Sequence, residues 1–400
     1  MPYYIGDVIQ DNRRLIARTP EKFEETGVHV RLKTRVEEID LAKGAVRLHG
    51  GEQVPYDVLV VATGATARVL DIPGIEREGV FILKHLRDAI DIKRYLEEKQ
   101  CRKALIIGAG FISMEMAEGF ASRGVKTQIL YRGDLPVGRW DPEFSRVVLE
   151  ELEARGVIFE TGVTPVAVEE GKEHRLRVLS KDDSFEGDIV LCALGVRPDT
   201  TLAAHAGIEM GKTGAIAVDN FQRTNREEVY SAGDCCEVYH RISGEWVNIP
   251  LGDIANKQGR IAGRNIGGKE SSFAGIVGAQ SFKVFDLELG ATGLDESAAA
   301  KSGFDPVSAL IWSAPVARSL NVRKQRLGIK LTADRASGRL LGAQAVGQAG
   351  AVGRINTLSA CLWAGMTVDE VGYMDLAYSP PFGGAWDPIH IAAQALLKDM

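Results

Sequence analysis

The stretch KALIIGAGFISMEMAEGFASRGVKTQILYR, residues 103–132, decides the fold. An apolar strand, Ala104–Ile107, runs into Gly108-Ala109-Gly110 and then into a helix; a second apolar strand, Thr127–Leu130, ends in polar side chains. This is the pattern of a dinucleotide-binding βαβ unit. Gly108 lets the chain turn tightly, and Gly110 lets the backbone approach a pyrophosphate. The N–H groups and dipole at the helix start, where Phe111 and Ile112 stand, hold the phosphates. Ser113 occupies the place usual for a third glycine and is small enough to keep helix and strand close. The second strand ends in Tyr131 and Arg132. A carboxylate there would accept from the ribose of NAD; its loss and the arrival of a guanidinium lean toward the 2′-phosphate of NADPH over NADH, with a solvated surface arginine as the alternative.

Working outward, one plan occurs twice. YDVLVVATG at 56–64 is an apolar strand ending in Thr63-Gly64, and GDIVLCALG at 187–195 has the same form, ending in Gly195. Each follows a run of strands (28–40 and 45–50; 157–170 and 174–181) and leads into a Pro-containing loop. The repetition predicts two related nucleotide-binding domains in tandem. After the second copy, EEVYSAGD (227–234) is a strand ending in Gly233-Asp234, an acid placed to meet a ribityl or ribose hydroxyl. NIPLGDIANKQGRIAGRNIGG (248–268) then leads into a helix able to aim its positive end at an anionic ring or phosphate.

From about residue 274 the pattern changes to strands (FKVFDLELG, LGIKLTA, RLLGAQAVG) followed by helices. Ile355, Leu358 and Leu362 share one helix face. Thr367–Glu370 is a capping box, and Asp141-Pro142 and Asp387-Pro388 are N-caps followed by proline at the first helical position. The expected architecture is α/β: two tandem Rossmann-like domains plus a C-terminal α+β domain, over 1–98 with 215–273, 99–214 and 274–400. No Gly-rich strand-to-helix turn occurs between Met1 and Gly64, so the first copy is expected to be incomplete.

The composition fits such a protein. Of 400 residues 45% are apolar and the net charge is −6, which gives no reason to expect nucleic acid or membrane as a partner. The N-terminus lacks a signal-peptide pattern, so a reducing, cytoplasmic setting is expected. The five cysteines (Cys101, Cys192, Cys235, Cys236, Cys361) form no CxxC pair and no zinc spacing, and no metal site is expected.

The order ATG, GxGFxxxEMAE, LGVRPD, AGD and ANKQGRIAG resembles the flavin-dependent pyridine nucleotide–disulfide oxidoreductases. PYYIG at 2–6, GRINTLSACLWAGMTVDEV at 353–371 and DLAYSPPFGGAWDPIHIAA at 375–393 are most similar to their coenzyme A disulfide reductase branch, with its NAD(P)H oxidases and persulfide reductases. The resemblance implies FAD and NADPH or NADH as cofactors, a homodimer, and a small disulfide or persulfide as substrate. It implies cofactor contacts from Ala62, Thr63, Gly64, Gly195, Gly233, Asp234, Pro250, Leu251, Asn256 and Gly259 in addition to Gly108–Ile112, Tyr131 and Arg132. It implies that Glu115 faces the nicotinamide and flavin rings, with a helix-start carboxylate as the plain alternative. It also implies that Tyr378 reaches across a dimer to the thiol site as hydrogen-bond donor or acid, with a packed aromatic as the alternative. His390 lies inside an amphipathic helix and reads as structural.

In that branch the redox cysteine lies just before PYYIG, and the first flavin strand and its Gly-rich turn lie earlier still. The expectation is therefore that the nucleophile and the opening flavin segment are missing here. The chain then reads as the greater part of a longer flavoenzyme, which could also be an NAD(P)H oxidase or peroxidase, or as a non-catalytic dimer that binds NAD(P)H.

Overall fold

The structure is a computed structural model describing residues 1–400. It divides into two compact units, one of residues 1–12, 67–195 and 277–400, the other of 13–66 and 196–276.

The first unit is built on the βαβ unit. Its five-stranded parallel sheet has the order Val80–Ile82, Ile189–Cys192, Lys103–Ile107, Lys126–Leu130, Ile158–Glu160. The two central strands are continuous apolar runs because both faces are covered, one by helix and the other by a small antiparallel sheet. Helix Phe111–Ser122 covers one stretch of sheet, with Met114, Met116, Ala117 and Phe120 buried. Leu105, Ile107, Val190 and Cys192 pack on Val168, Leu176 and Val178 of a small antiparallel sheet, 167–170, 176–179 and 184–187. Strand 80–82 and helix Leu86–Glu98 precede residue 99 but belong to this unit, the strand pairing directly with 189–192.

The same unit holds an antiparallel sheet of order 280–284, 287–293, 340–347, 327–334, 306–313. Helices Ala351–Ala364, Val368–Tyr373 and Pro388–Leu397 accompany it. Thr367 and Asp387 cap their helices through side-chain bonds from Glu370 N and Ile389 N. FKVFDLELG is two strands rather than one: the chain reverses at Phe285-Asp286, with Phe285 at φ +47°. Strand 306–313 is an addition to the expected set.

In the second unit Leu59–Val61 and Val229–Ser231 form a two-stranded parallel pair, with Val61 opposite Ser231. Its core gathers Ile39, Val61, Ile208, Ile216, Val229, Cys235 and Cys236. Residues 28–35, expected as strand, are not strand; the strand begins at Val36. No helix of the structure is long and apolar enough to cross a membrane.

Candidate functional site

In the first unit the end of strand 103–107 passes into helix 111–122 through two glycines with different tasks. Gly108 has φ +110°, and a Cβ there would lie 2.5 Å from the Ala193 carbonyl oxygen. Only glycine fits that approach of two strand ends. Gly110 is the residue before the helix, and a Cβ there would meet nothing within 4 Å. The space in front of the helix N-terminus is thus open, as a pyrophosphate requires. Ser113 is fully buried with its hydroxyl unpartnered, consistent with its close-packing role.

Ile112 is half-buried beside this turn. Phe111 stacks on Phe282 of the C-terminal sheet, centroids 4.5 Å apart, so its ring braces the cradle from behind. Glu118, on the same helix, accepts from Lys283 Nζ at 2.8 Å and Phe285 N at 2.9 Å. Glu115, one turn into the helix, is largely buried; desolvation raises its carboxyl above the usual range, and Glu118 adds to this.

Tyr131 ends the second strand, its N–H donating to Glu160 O at 2.9 Å and its ring resting near Phe159. A Cβ on Gly133 would lie 2.8 Å from the Tyr131 ring, so the following turn wraps that ring closely. Arg132 is exposed beside it. Gly195 takes φ +83° with open space around it. Tyr378 lies in the 374–387 loop and is 59% exposed.

The second unit brings together two strand ends. Ala62 and Thr63 are exposed after strand 59–61. Thr63 Oγ1 donates to Asp199 O at 2.5 Å, and Gly64, at φ +72°, accepts from Asp199 N. Gly233 and Asp234 follow the neighbouring strand at the same end of the pair, with Gly233 at φ +92°. Gln258, missed in the sequence reading, is buried in helix Gly252–Ile266; its Oε1 accepts from Gly233 N and its Nε2 donates to Glu237 O. It sits in the quoted ANKQGR stretch, but a glutamine on a helix carries no local sign of such a role. Pro250 and Leu251 lead into that helix, and Asn256 and Gly259 lie on its exposed side. The open space at Gly64 and Gly259 and the exposed strand end at Ala62-Thr63 leave room for a nucleotide.

Four of the five cysteines are buried and Cys101 is half-buried. Burial pushes Cys101 and Cys192 up to about 11 and raises Cys236 and Cys361, and none is in a disulfide. No group of three or more His, Cys, Asp or Glu side chains could hold a metal ion. Both ring nitrogens of His390 are engaged within the chain, with Asp387 N and Met374 O.

The family model for pyridine nucleotide-disulphide oxidoreductase matches residues 5–259, and that for the dimerisation domain of the same family matches 279–388. The NAD(P)H sulfur oxidoreductase (CoA-dependent) of Pyrococcus furiosus is 35% identical over 396 residues, 98% of this chain and 89% of the relative. An NADH oxidase of Methanocaldococcus jannaschii is 31% identical over 406 residues, covering 100% of this chain and 90% of its own. The solved structure of an NAD-dependent persulfide reductase from A. fulgidus superposes with a TM-score of 0.94 at 33% identity, over 100% of this chain and 75% of that one. The expectation of an incomplete first domain finds no support in these matches: the family model begins at residue 5, and the relatives and the solved structure take in 98% of the chain or more.

Proposed function

Because the chain belongs to the pyridine nucleotide-disulphide oxidoreductase family, whose members use FAD and NAD(P)H, we propose that it uses NADPH or NADH to reduce a small disulfide or persulfide such as coenzyme A disulfide. The observation that carries this reading is the 108–111 turn, with a glycine forced by the Ala193 carbonyl and open space before the helix. Bound there, the pyrophosphate would be met by the first N–H groups of the helix, and the 2′-phosphate of NADPH by the Arg132 guanidinium.

Bound FAD supplies the hydride acceptor and the two-electron chemistry. Gly64, Gly233, Asp234, Pro250, Leu251, Asn256 and Gly259 are the residues proposed to hold it. Glu115, its carboxyl raised by burial, is proposed to face the nicotinamide and flavin rings. Tyr378 is proposed as the hydrogen-bond donor to the departing sulfur of the substrate, acting across a homodimer formed through the C-terminal domain.

A second reading, oxidation of NAD(P)H by oxygen or peroxide, is favoured by one observation. An NADH oxidase, that of Methanocaldococcus jannaschii, is among the relatives, at 31% identity over 406 residues. The test is oxidation of NADPH and NADH by the FAD-supplemented protein. Anaerobic turnover with coenzyme A disulfide or a persulfide supports the first reading, turnover only with oxygen or peroxide supports the second, and no oxidation with any acceptor refutes both.

A further inference from the structure

We propose that Arg354 is the positioning residue for the 374–387 loop, and through it for the Tyr378 hydroxyl. The inference rests on the role given to Tyr378 above. Arg354 lies in helix Ala351–Ala364 and is 8% exposed. Its guanidinium spends its donors on three separate segments. Nε and Nη2 make a bidentate pair with Asp387, at 3.0 Å to Oδ1 and 2.8 Å to Oδ2. Nη2 also donates to Pro315 O at 3.2 Å and Phe382 O at 3.3 Å, and Nη1 donates to Gly350 O at 3.2 Å. Room for the fork comes from Gly350: it takes φ +74°, and a Cβ on it would lie 2.5 Å from Nη1.

A buried ion pair is a poor way to gain stability alone, because apolar side chains of similar volume often do as well. What a planar, multiply donating cation supplies is geometry. The rest of the loop follows the same plan. His390 Nδ1 accepts from Asp387 N at 3.3 Å, which leaves Nε2 to donate to Met374 O at 2.9 Å. One imidazole thus fastens both ends of the loop. Between them, Ala317 N donates to Pro380 O at 3.0 Å and Phe382 N to Ser379 O at 2.9 Å.

The backbone of the loop is therefore held at Met374, Ser379, Pro380, Phe382 and Asp387. Its aromatic side chains nonetheless face outward: Tyr378 is 59%, Phe382 77% and Trp386 52% exposed. Fixing a backbone while leaving large side chains bare has a cost and no folding benefit, unless those side chains are needed in one place. Arg354 is the group common to the loop, its helical base and the 315 segment, and it holds Tyr378 in place without touching substrate.

The test uses full-length Arg354→Ala, Arg354→Lys, Asp387→Asn and Tyr378→Phe. In Arg354→Ala, hydrogen exchange at 375–386 should quicken by roughly tenfold while exchange across strands 103–107 and 327–334 stays as in the wild type. Acceptor-dependent kcat should fall about as far as in Tyr378→Phe, with NAD(P)H affinity within about twofold, and millimolar guanidinium should restore part of the loss. Arg354→Lys should behave like the alanine variant, since an ammonium cannot form the fork. Asp387→Asn keeps a helix cap and should give a smaller loosening confined to the loop. Unchanged exchange at 375–386 in Arg354→Ala, or a rise spread equally over 327–334, would overturn the proposal. If Tyr378→Phe is silent, the Tyr378 reading fails by itself, and the exchange data still decide what Arg354 does.

Discussion

Gly108 and Gly233 both end a parallel strand and both take a positive φ, yet the two units hold them differently. A Cβ on Gly108 would lie 2.5 Å from a backbone carbonyl; a Cβ on Gly233 would meet only the Ala255 side chain, at 3.6 Å. The strand before Gly108 is flanked on both sides within five parallel strands, whereas that before Gly233 belongs to a parallel pair whose other member carries Val60 42% exposed. The first turn is thus fixed by its own packed sheet. The second relies on φ alone and on a side chain, Gln258, holding Gly233 N. The contrast teaches that a glycine signature can mark two sites of unequal rigidity.

Substitutions should expose that inequality. Gly108→Ala adds a backbone overlap to the left-handed penalty and should cost about 3 kcal/mol or more. NAD(P)H binding should be lost beyond roughly a hundredfold, measured by fluorescence titration. A carbonyl that moved aside at little expense would show as near-normal binding and would erase the distinction.

The second effect belongs to the other unit. His240 is buried and its pKa is depressed from 6.5 to about 4 by desolvation. The unfolded chain then binds more protons than the folded one between those values. Stability is fully present above pH 6.5 and is lost as pH falls toward 4, by about 2 kcal/mol at pH 5. Hydrogen exchange at 229–240 should therefore rise between pH 7 and 5 after correction for intrinsic rates. His240→Gln should flatten that dependence, and an unchanged slope in the variant would rule the histidine out.

Gly233→Ala should cost about 1–2 kcal/mol, the left-handed penalty without the overlap. It should lower flavin content while leaving NAD(P)H affinity intact. Smallest is Arg132→Ala, expected to weaken NADPH by about tenfold and NADH hardly at all; equal effects on both would make Arg132 a plain surface residue.

Much of this was legible in the sequence. The βαβ turn, the helix start at Asp141-Pro142, the side-chain caps at Thr367 and Asp387, and the C-terminal sheet with its helices follow from local periodicity and helix-start chemistry. The misses share a cause. Phe285-Asp286 reverses the chain without the Gly or Asn that marks a tight hairpin, so two strands read as one. Residues 28–35 alternate like a strand but have no strand partner. Strand 80–82 joins its sheet beside 189–192, more than a hundred residues away in sequence. The stacking of Phe111 on the distant Phe282 has no local sign in the sequence either. Gln258 and Arg354 act only through groups distant in sequence, which no local pattern announces.

The most direct test of the central claim, that the 108–111 turn is a dinucleotide cradle, is calorimetric titration of wild type, Gly108→Ala and Gly233→Ala with NADPH and NADH. Binding of one nucleotide per chain to the wild type and to Gly233→Ala, with none to Gly108→Ala, is the predicted result. Equal binding by Gly108→Ala, or no binding by the wild type, would contradict it.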